Sequence, residues 1–220
     1  MCRVYEVVML SIEQFGHVFL IRMDDGENRF NRDSIAALHA ALDRVEATEG
    51  PLALVTTGSG KFYSNGLDLD WLGTAGAAAN GFIDEVHRVL VRILEFPALT
   101  VAAVNGHAFA GGAMLATAHD FVFMREDRGY WCLPEVDLGL PLTTTMYRVL
   151  ATHLPQATMR EAALTGRRYD GQQMLEAGIA YQLAAEAEVV SQAIAFAANI
   201  AAKDRAVVME HKRLLRADRA

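Results

Sequence analysis

Short apolar runs at Val7–Ile12 and His17–Met23, separated by Gln14-Phe15-Gly16, predict two strands forming an opening hairpin. Asn31-Arg32-Asp33-Ser34 then supplies capping residues for a helix from about Ser34 to Ala47, with Ile35, Leu38, Leu42 and Val45 on one face. Gly50-Pro51 ends it. Leu52–Thr56 reads as a buried strand, Thr57–Leu69 as a Gly- and Ser-containing loop, and Phe82 to Glu95 as a long helix broken by Pro97. Leu99–Val104 is the next strand, followed by a glycine loop, a short helix over Gly112–Thr117 and a strand at Asp120–Met124. Beyond that the pattern turns helical, at about Thr143–Leu150, Gln156–Leu164, Gly171–Glu176, Ala187–Ala202 and Arg205–Leu215, with one short strand at Ile179–Leu183. Strands thus concentrate before residue 135 and helices after it, an α/β chain with a repeated β-containing core and a helical C-terminal part.

Composition narrows the function classes. With 220 residues, 52% of them hydrophobic, the chain has ample material for one buried core. A net charge of −7 argues against a nucleic-acid partner, because backbone binding relies on a clustered basic surface. It leaves room for a small phosphorylated ligand held by a few Arg or Lys side chains. No apolar run reaches the roughly 18 residues that cross a bilayer. The first residues do not read as a signal peptide nor the last as a peroxisomal address, so the expectation is a cytoplasmic protein with no membrane partner. Cys2 and Cys132 stand far apart without a CxxC, which points to free thiols rather than a zinc site or disulfide framework.

Several candidate motifs fail on inspection. Gly58-Ser59-Gly60-Lys61 lacks the remaining P-loop positions, where Val55 and Phe62 stand instead, and Gly-x-Gly-x-x-Gly is absent. The seven histidines form no HExxH, and no serine sits in a Gly-x-Ser-x-Gly elbow. His119-Asp120 lies at a helix-to-strand junction without a nucleophile and reads as structural. Asp68 reads as a helix cap. The double glycine Gly111-Gly112 is different: it follows an apolar strand, opens an Ala-rich helix, permits close backbone approach and leaves amide N–H groups free to bind a developing oxyanion. Leu67, next to flexible Gly66, is a second such donor. Glu135 sits among Trp131, Cys132, Leu133, Pro134 and Val136, ahead of the apolar Leu138–Pro141, an environment that raises a carboxylate's pKa toward reversible proton transfer. Asp137, the neighbouring acid, is assigned a structural role. Oxyanion donors plus one carboxylate suit removal of a proton beside a carbonyl.

In order, Asn28-Arg29-Phe30-Asn31, Lys61–Leu69, Asn105–Asp120, Pro134–Pro141 and Leu164–Arg168 leading to Ala177–Ala180 resemble the crotonase superfamily, the enoyl-CoA hydratase/isomerase family. The resemblance implies a crotonase-like spiral of ββα repeats over residues 1–165 and a C-terminal helical trimerisation region over 166–220, with trimers that can pair into hexamers. It implies an acyl-CoA thioester as substrate, its carbonyl oxygen bound by the N–H groups of Leu67 and Gly111. Phe30, Ser64 and Asn65, with Gly66 and Gly112, would lie along the CoA groove, and Arg29 and Lys61 would be phosphate partners. Hydratases of this family carry two glutamates. Here Met114 occupies the first position and Glu135 the second, which resembles the single-glutamate Δ3,Δ2-enoyl-CoA isomerases. The expected reaction moves a 3-enoyl double bond to the 2-trans position through Glu135, with Met114, Trp131 and Leu140 excluding water and no metal or redox cofactor. The alternatives are a hydratase or thioester hydrolase of the same family, or a non-catalytic acyl-CoA-binding protein.

Overall fold

The computed structural model describes residues 3–7 and 9–217, with side chains over 9–216. Three strands open the chain, β1 (Arg3–Val7), β2 (Leu10–Phe15) and β3 (Val18–Met23), followed by α1 (Arg32–Glu46). Next come β4 (Ala53–Gly58), β5 (Phe62–Ser64), α2 (Leu69–Thr74) and α3 (Phe82–Leu94). The pattern repeats as β6 (Leu99–Val104), β7 (His107–Phe109) and α4 (Gly111–Thr117), then as β8 (Phe121–Arg125), β9 (Trp131–Cys132) and α5 (Thr144–His153). The remainder is α6 (Gln156–Thr165), β10 (Arg168–Tyr169), α7 (Gly171–Glu176), β11 (Gln182–Ala184), α8 (Val189–Ala201) and α9 (Arg205–Ala217).

Each repeat divides its two strands between two sheets. β4, β6 and β8 go to a seven-stranded sheet of order β1-β2-β3-β4-β6-β8-β11, while β5, β7 and β9 go to a four-stranded sheet of order β10-β9-β7-β5. From β3 onward every pairing in the large sheet is parallel, and so are the β5–β7 and β7–β9 pairings of the small one. Central strands β4 and β6 are buried along their whole length, because helices cover both faces. Leu54, Ala102 and Val104 face the core shared with α1, α3 and α4. Ala53, Val55, Val101 and Ala103 face α8, whose Ala193, Ala197 and Ala201 recur every four residues and let the helix sit close to the sheet.

The opening departs from the two-strand expectation. Val7 belongs to β1 and pairs with Leu10, and the reversal between them is apolar in sequence, with Met9 held at φ 74. The Thr57–Leu69 segment contains β5, and the C-terminal part contributes β10 to the small sheet and β11 to the large one, so the described residues of that part are stitched into both. Cys132 is buried and carries no disulfide; Cys2 lies outside the described residues. No helix among the described residues is long and apolar enough to cross a membrane.

His119 and Asp120 hold the scaffold. His119 Nε2 lies 2.9 Å from Thr56 Oγ1, its Nδ1 donates to Leu115 O at 2.8 Å, and burial pushes its pKa down to about 4, so the ring is neutral. Asp120 accepts from Thr100 N and Oγ1 and, at 2.6 Å, from Lys212 Nζ, which also donates to Phe96 O and Ala98 O. That buried ammonium anchors α9 to the ends of β6 and β8. Lys212→Ala strands Asp120 and is expected to lower unfolding free energy by about 3 kcal/mol, read by urea denaturation, with amide exchange rising first in α9.

Candidate active site

The chemistry gathers at the C-terminal ends of the three parallel strands of the small sheet. Leu67 lies three residues past β5, Gly111 two past β7 and Glu135 three past β9. Adjacent strands are about 4.8 Å apart, so the three positions form a row across the sheet, at the strand ends where parallel α/β sheets commonly receive ligands.

Leu67 and Gly111 are placed by backbone contacts that only glycine permits. At Gly66, with φ +75, a Cβ would fall 2.8 Å from both Gly111 N and Phe109 O. At Gly112 a Cβ would strike the carbonyl of Ser64, so α4 packs directly on β5. Phe30 braces both: its N–H donates to Gly66 O at 2.7 Å and its carbonyl accepts from Asp68 N at 2.9 Å, gripping Leu67 from either side. Its ring packs beneath Gly111. Ala110 completes the turn with φ 50 and ψ −123, a left-handed conformation that a Cβ strains by roughly 1–3 kcal/mol. The amides of Leu67 and Gly111 donate to no acceptor among the described residues.

Glu135 is 8% exposed, and its Oε2 is buried without a hydrogen-bond partner. Burial raises its pKa above the ordinary carboxylate value. It belongs to a single 3₁₀ turn, Pro134–Val136, rather than to extended chain, closed by Asp137 N donating to Pro134 O at 3.0 Å, and Leu140 N donates to Glu135 O at 2.9 Å. The turn sends the Asp137 carboxylate against Gly166, away from the cavity.

A cavity of about 420 Å³ joins these groups, within the size range of small-molecule sites. Leu67, Gly111, Met114, Glu135 and Leu140 line it, with Arg29 and Asn65 toward its rim. Val86 and Leu90 of α3 and Met114 of α4, all buried, form its deepest lining, together with Ile83 and Met146. The i, i+3, i+7 spacing of Ile83, Val86 and Leu90 reads in sequence as an ordinary core face. Among the lining residues Glu135 is the one buried carboxylate; Asp70, at the rim, is exposed and bonded to Arg29.

Other residues singled out from the sequence sit behind the cavity. Trp131 is fully buried, its indole N–H donating to Ala113 O and Thr117 Oγ1, so it supports α4 and does not line the cavity. Ser64 and Phe30 are likewise buried; Ser64 Oγ donates to Asn28 O and accepts from Gly66 N, steadying the donor loop. Asp68 caps α2 by accepting from Trp71 N. Arg29 is enclosed by Glu27 at 2.7 Å, Asp70 at 3.1 Å and Asp68 at 3.8 Å. Lys61 is outside the cavity, its ammonium 5.3 Å from the Phe62 ring centre. Phe109, Cys132, Leu138 and Arg168 also line the cavity, although none of them is singled out as a site residue from the sequence. Among the described residues no cluster of His, Cys, Asp and Glu is arranged to hold a metal ion. A larger groove of about 600 Å³ runs along α9, but Arg148, Lys212 and Arg213 in it are already paired with Glu95, Asp120 and Glu210.

Residues 13–219 match the enoyl-CoA hydratase/isomerase family. The chain belongs to that family, and its fold is crotonase-like. Among curated proteins, enoyl-CoA delta isomerase 2, peroxisomal, of Arabidopsis thaliana is 37% identical over 207 residues, 89% of this chain and 86% of the relative. A putative enoyl-CoA hydratase of Thermus thermophilus is 33% identical over 88% of this chain and 78% of the relative. Among solved structures, an enoyl-CoA isomerase of Mycobacterium tuberculosis superposes with a TM-score of 0.88 at 26% identity, over 96% of this chain and 92% of that one.

The trapped carboxylate has a measurable signature. Because the folded state retains the Glu135 proton to higher pH than the unfolded chain, ionising it destabilises the fold as pH rises above the unfolded value. Glu135→Gln is therefore expected to unfold at higher temperature than the parent at about pH 8, with the difference closing near pH 4. Thermal melts across that range check it.

Proposed function

We propose that this chain is an enoyl-CoA isomerase that moves the double bond of a 3-enoyl-CoA to the 2-trans position, the form that β-oxidation processes. One observation carries the reading: a buried carboxylate with an unpartnered oxygen shares a largely apolar cavity with two unengaged main-chain amides. The plant relatives named as enoyl-CoA delta isomerases support it.

In this mechanism the thioester oxygen sits between the N–H groups of Leu67 and Gly111. Glu135 removes a proton from C2, and the electron pair spreads through the thioester and the neighbouring double bond as a dienolate whose oxygen charge the amides hold. The protonated Glu135 returns the proton to C4, leaving the double bond between C2 and C3. One carboxylate suffices because the same proton leaves and comes back. Apolar Met114 and Leu140 line the cavity beside Glu135, and hydration would require a second polar group there to orient water.

Glu135→Gln is expected to reduce isomerisation by roughly 10²–10⁴-fold while binding of an acyl-CoA persists, measured by absorbance of the 2-enoyl product and by calorimetry. Near-parental turnover in that variant sinks the assignment. Incubating the parent with 2-enoyl-CoA should yield neither hydroxyacyl-CoA nor free CoA; the first product would identify a hydratase and the second a hydrolase. A parent that binds acyl-CoA yet exchanges no C2 proton into deuterated water would be a binding protein. Assembly into homotrimers or hexamers and a cytoplasmic location belong to the same proposal, tested by solution mass and by cell fractionation.

A further inference from the structure

No other described residue holds the Glu135 carboxylate by a hydrogen bond. Its Oε2 has no partner, and the bond that relieves it comes from its own backbone. The 3₁₀ turn that carries it spans Pro134–Val136, and so short a turn does little by itself to fix a side chain. Support comes from α6, which packs against this turn and ends at Gly166 with φ 60 and ψ 19.

Both flanks of Glu135 meet this one glycine. Three residues before it, the Cys132 thiol donates to Gly166 O at 3.1 Å. Burial pushes that thiol up to about 11, so it keeps its proton and stays a donor at neutral pH. Two residues after Glu135, the Asp137 carboxylate fills the space where a Cβ at Gly166 would stand. That atom would strike Oδ2 and lie 3.1 Å from Cγ. The glycine turn is itself fixed from behind. Gly166 N donates to Ala162 O at 3.1 Å, and buried Tyr169 donates its hydroxyl to Glu161 of α6 at 2.7 Å. Arg167 pairs with the same Glu161 at 2.8 Å, and Arg168 sits opposite Cys132 in the β10–β9 ladder. Backbone conformation alone does not account for this glycine. Gly50, in the loop after α1, has φ 80, and a Cβ there would meet nothing within 4 Å. Gly166 combines a left-handed backbone with an occupied side-chain position.

We propose that Gly166 is a positioning residue for the proton transfer: its bare backbone seats the turn on both sides of Glu135 and so aims the carboxylate into the cavity. The proposal rests on the isomerase reading above. A side chain at Gly166 would displace Asp137, and Asp137 is only two residues from Glu135 on a tightly hydrogen-bonded turn. The displacement would therefore reach the base, while the amides of Leu67 and Gly111, held by Phe30, Ser64 and Gly66, would stay in place. Binding and proton transfer would then respond differently to one change.

Gly166→Ala is expected to lower kcat for 3-hexenoyl-CoA about a hundredfold, while hexanoyl-CoA, followed by calorimetry, binds within about twofold of the parent. Adding Asp137→Ala clears room for the new Cβ and should return kcat to within about fivefold of the parent. The melting temperature should stay depressed in that double variant, because φ 60 still strains an alanine. Gly50→Ala carries similar backbone strain with nothing to strike and should leave kcat unchanged. A second arm needs no turnover. The stabilisation that Glu135→Gln confers at about pH 8 should fall by about half or more in the Gly166→Ala background and return with Asp137→Ala. Where Gly166→Ala does not fold, Cys132→Ala decides: losing the bond to Gly166 O should lower kcat about tenfold at parental hexanoyl-CoA affinity. Parental kcat in the single variants, a double variant as slow as Gly166→Ala, equal slowing by Gly50→Ala, or a loss confined to ligand affinity overturns the assignment. A parent that does not isomerise overturns the functional reading instead, and the melts then decide this one.

Discussion

Main chain meets main chain where Gly66 approaches Gly111, and the site depends on that approach. A methyl group at Gly66 would fall 2.8 Å from the Gly111 nitrogen, and one at Gly112 would strike Ser64 O. Two successive repeats therefore touch without side chains between them, and the amides of Leu67 and Gly111 are brought beside one cavity. Phe30 fixes the first amide through its backbone and supports the second through its ring. The residues behind this contact, Ser64, Trp131 and Asn28, spend their polar atoms on holding loops and α4 in place.

The electrostatics follow from the same packing. Glu135 is destabilised by the burial that makes it basic; a hydrogen bond from its own backbone offsets this only in part, and its Oε2 has no partner. A salt bridge would steady the fold and lower the basicity together. The chain instead concentrates its ionic stabilisation elsewhere, above all in the buried Lys212–Asp120 pair.

Much of this was legible in the sequence where local chemistry and final geometry agree. The amphipathic periods of α1 and α3, the capping Asn31, the double glycine and the lone Glu135 each carry their signal within a few residues. What escaped was built from distant partners. Strands β5, β7, β9 and β10 are two or three residues long and exist only because one completes another. The reversal at Met9 has no turn residue to announce it. Trp131 looked like cavity lining because an aromatic beside a glutamate reads that way; its neighbours across the sheet, invisible in one dimension, turned it inward. Arg168 stood in a stretch that carried the family resemblance, but its place in the cavity beside Phe109 depends on a contact between residues far apart in the chain.

The row formed by Leu67, Gly111 and Glu135, one per repeat at equivalent strand ends, separates two tasks that many enzymes entangle. Two rungs of the ladder grip an oxygen through groups every amino acid possesses, so sequence drift leaves their chemistry untouched while the glycine contacts survive. The third rung supplies a side chain, and exchanging it alters what happens to the captured molecule without rebuilding the grip. Such a scaffold can change its reaction one residue at a time.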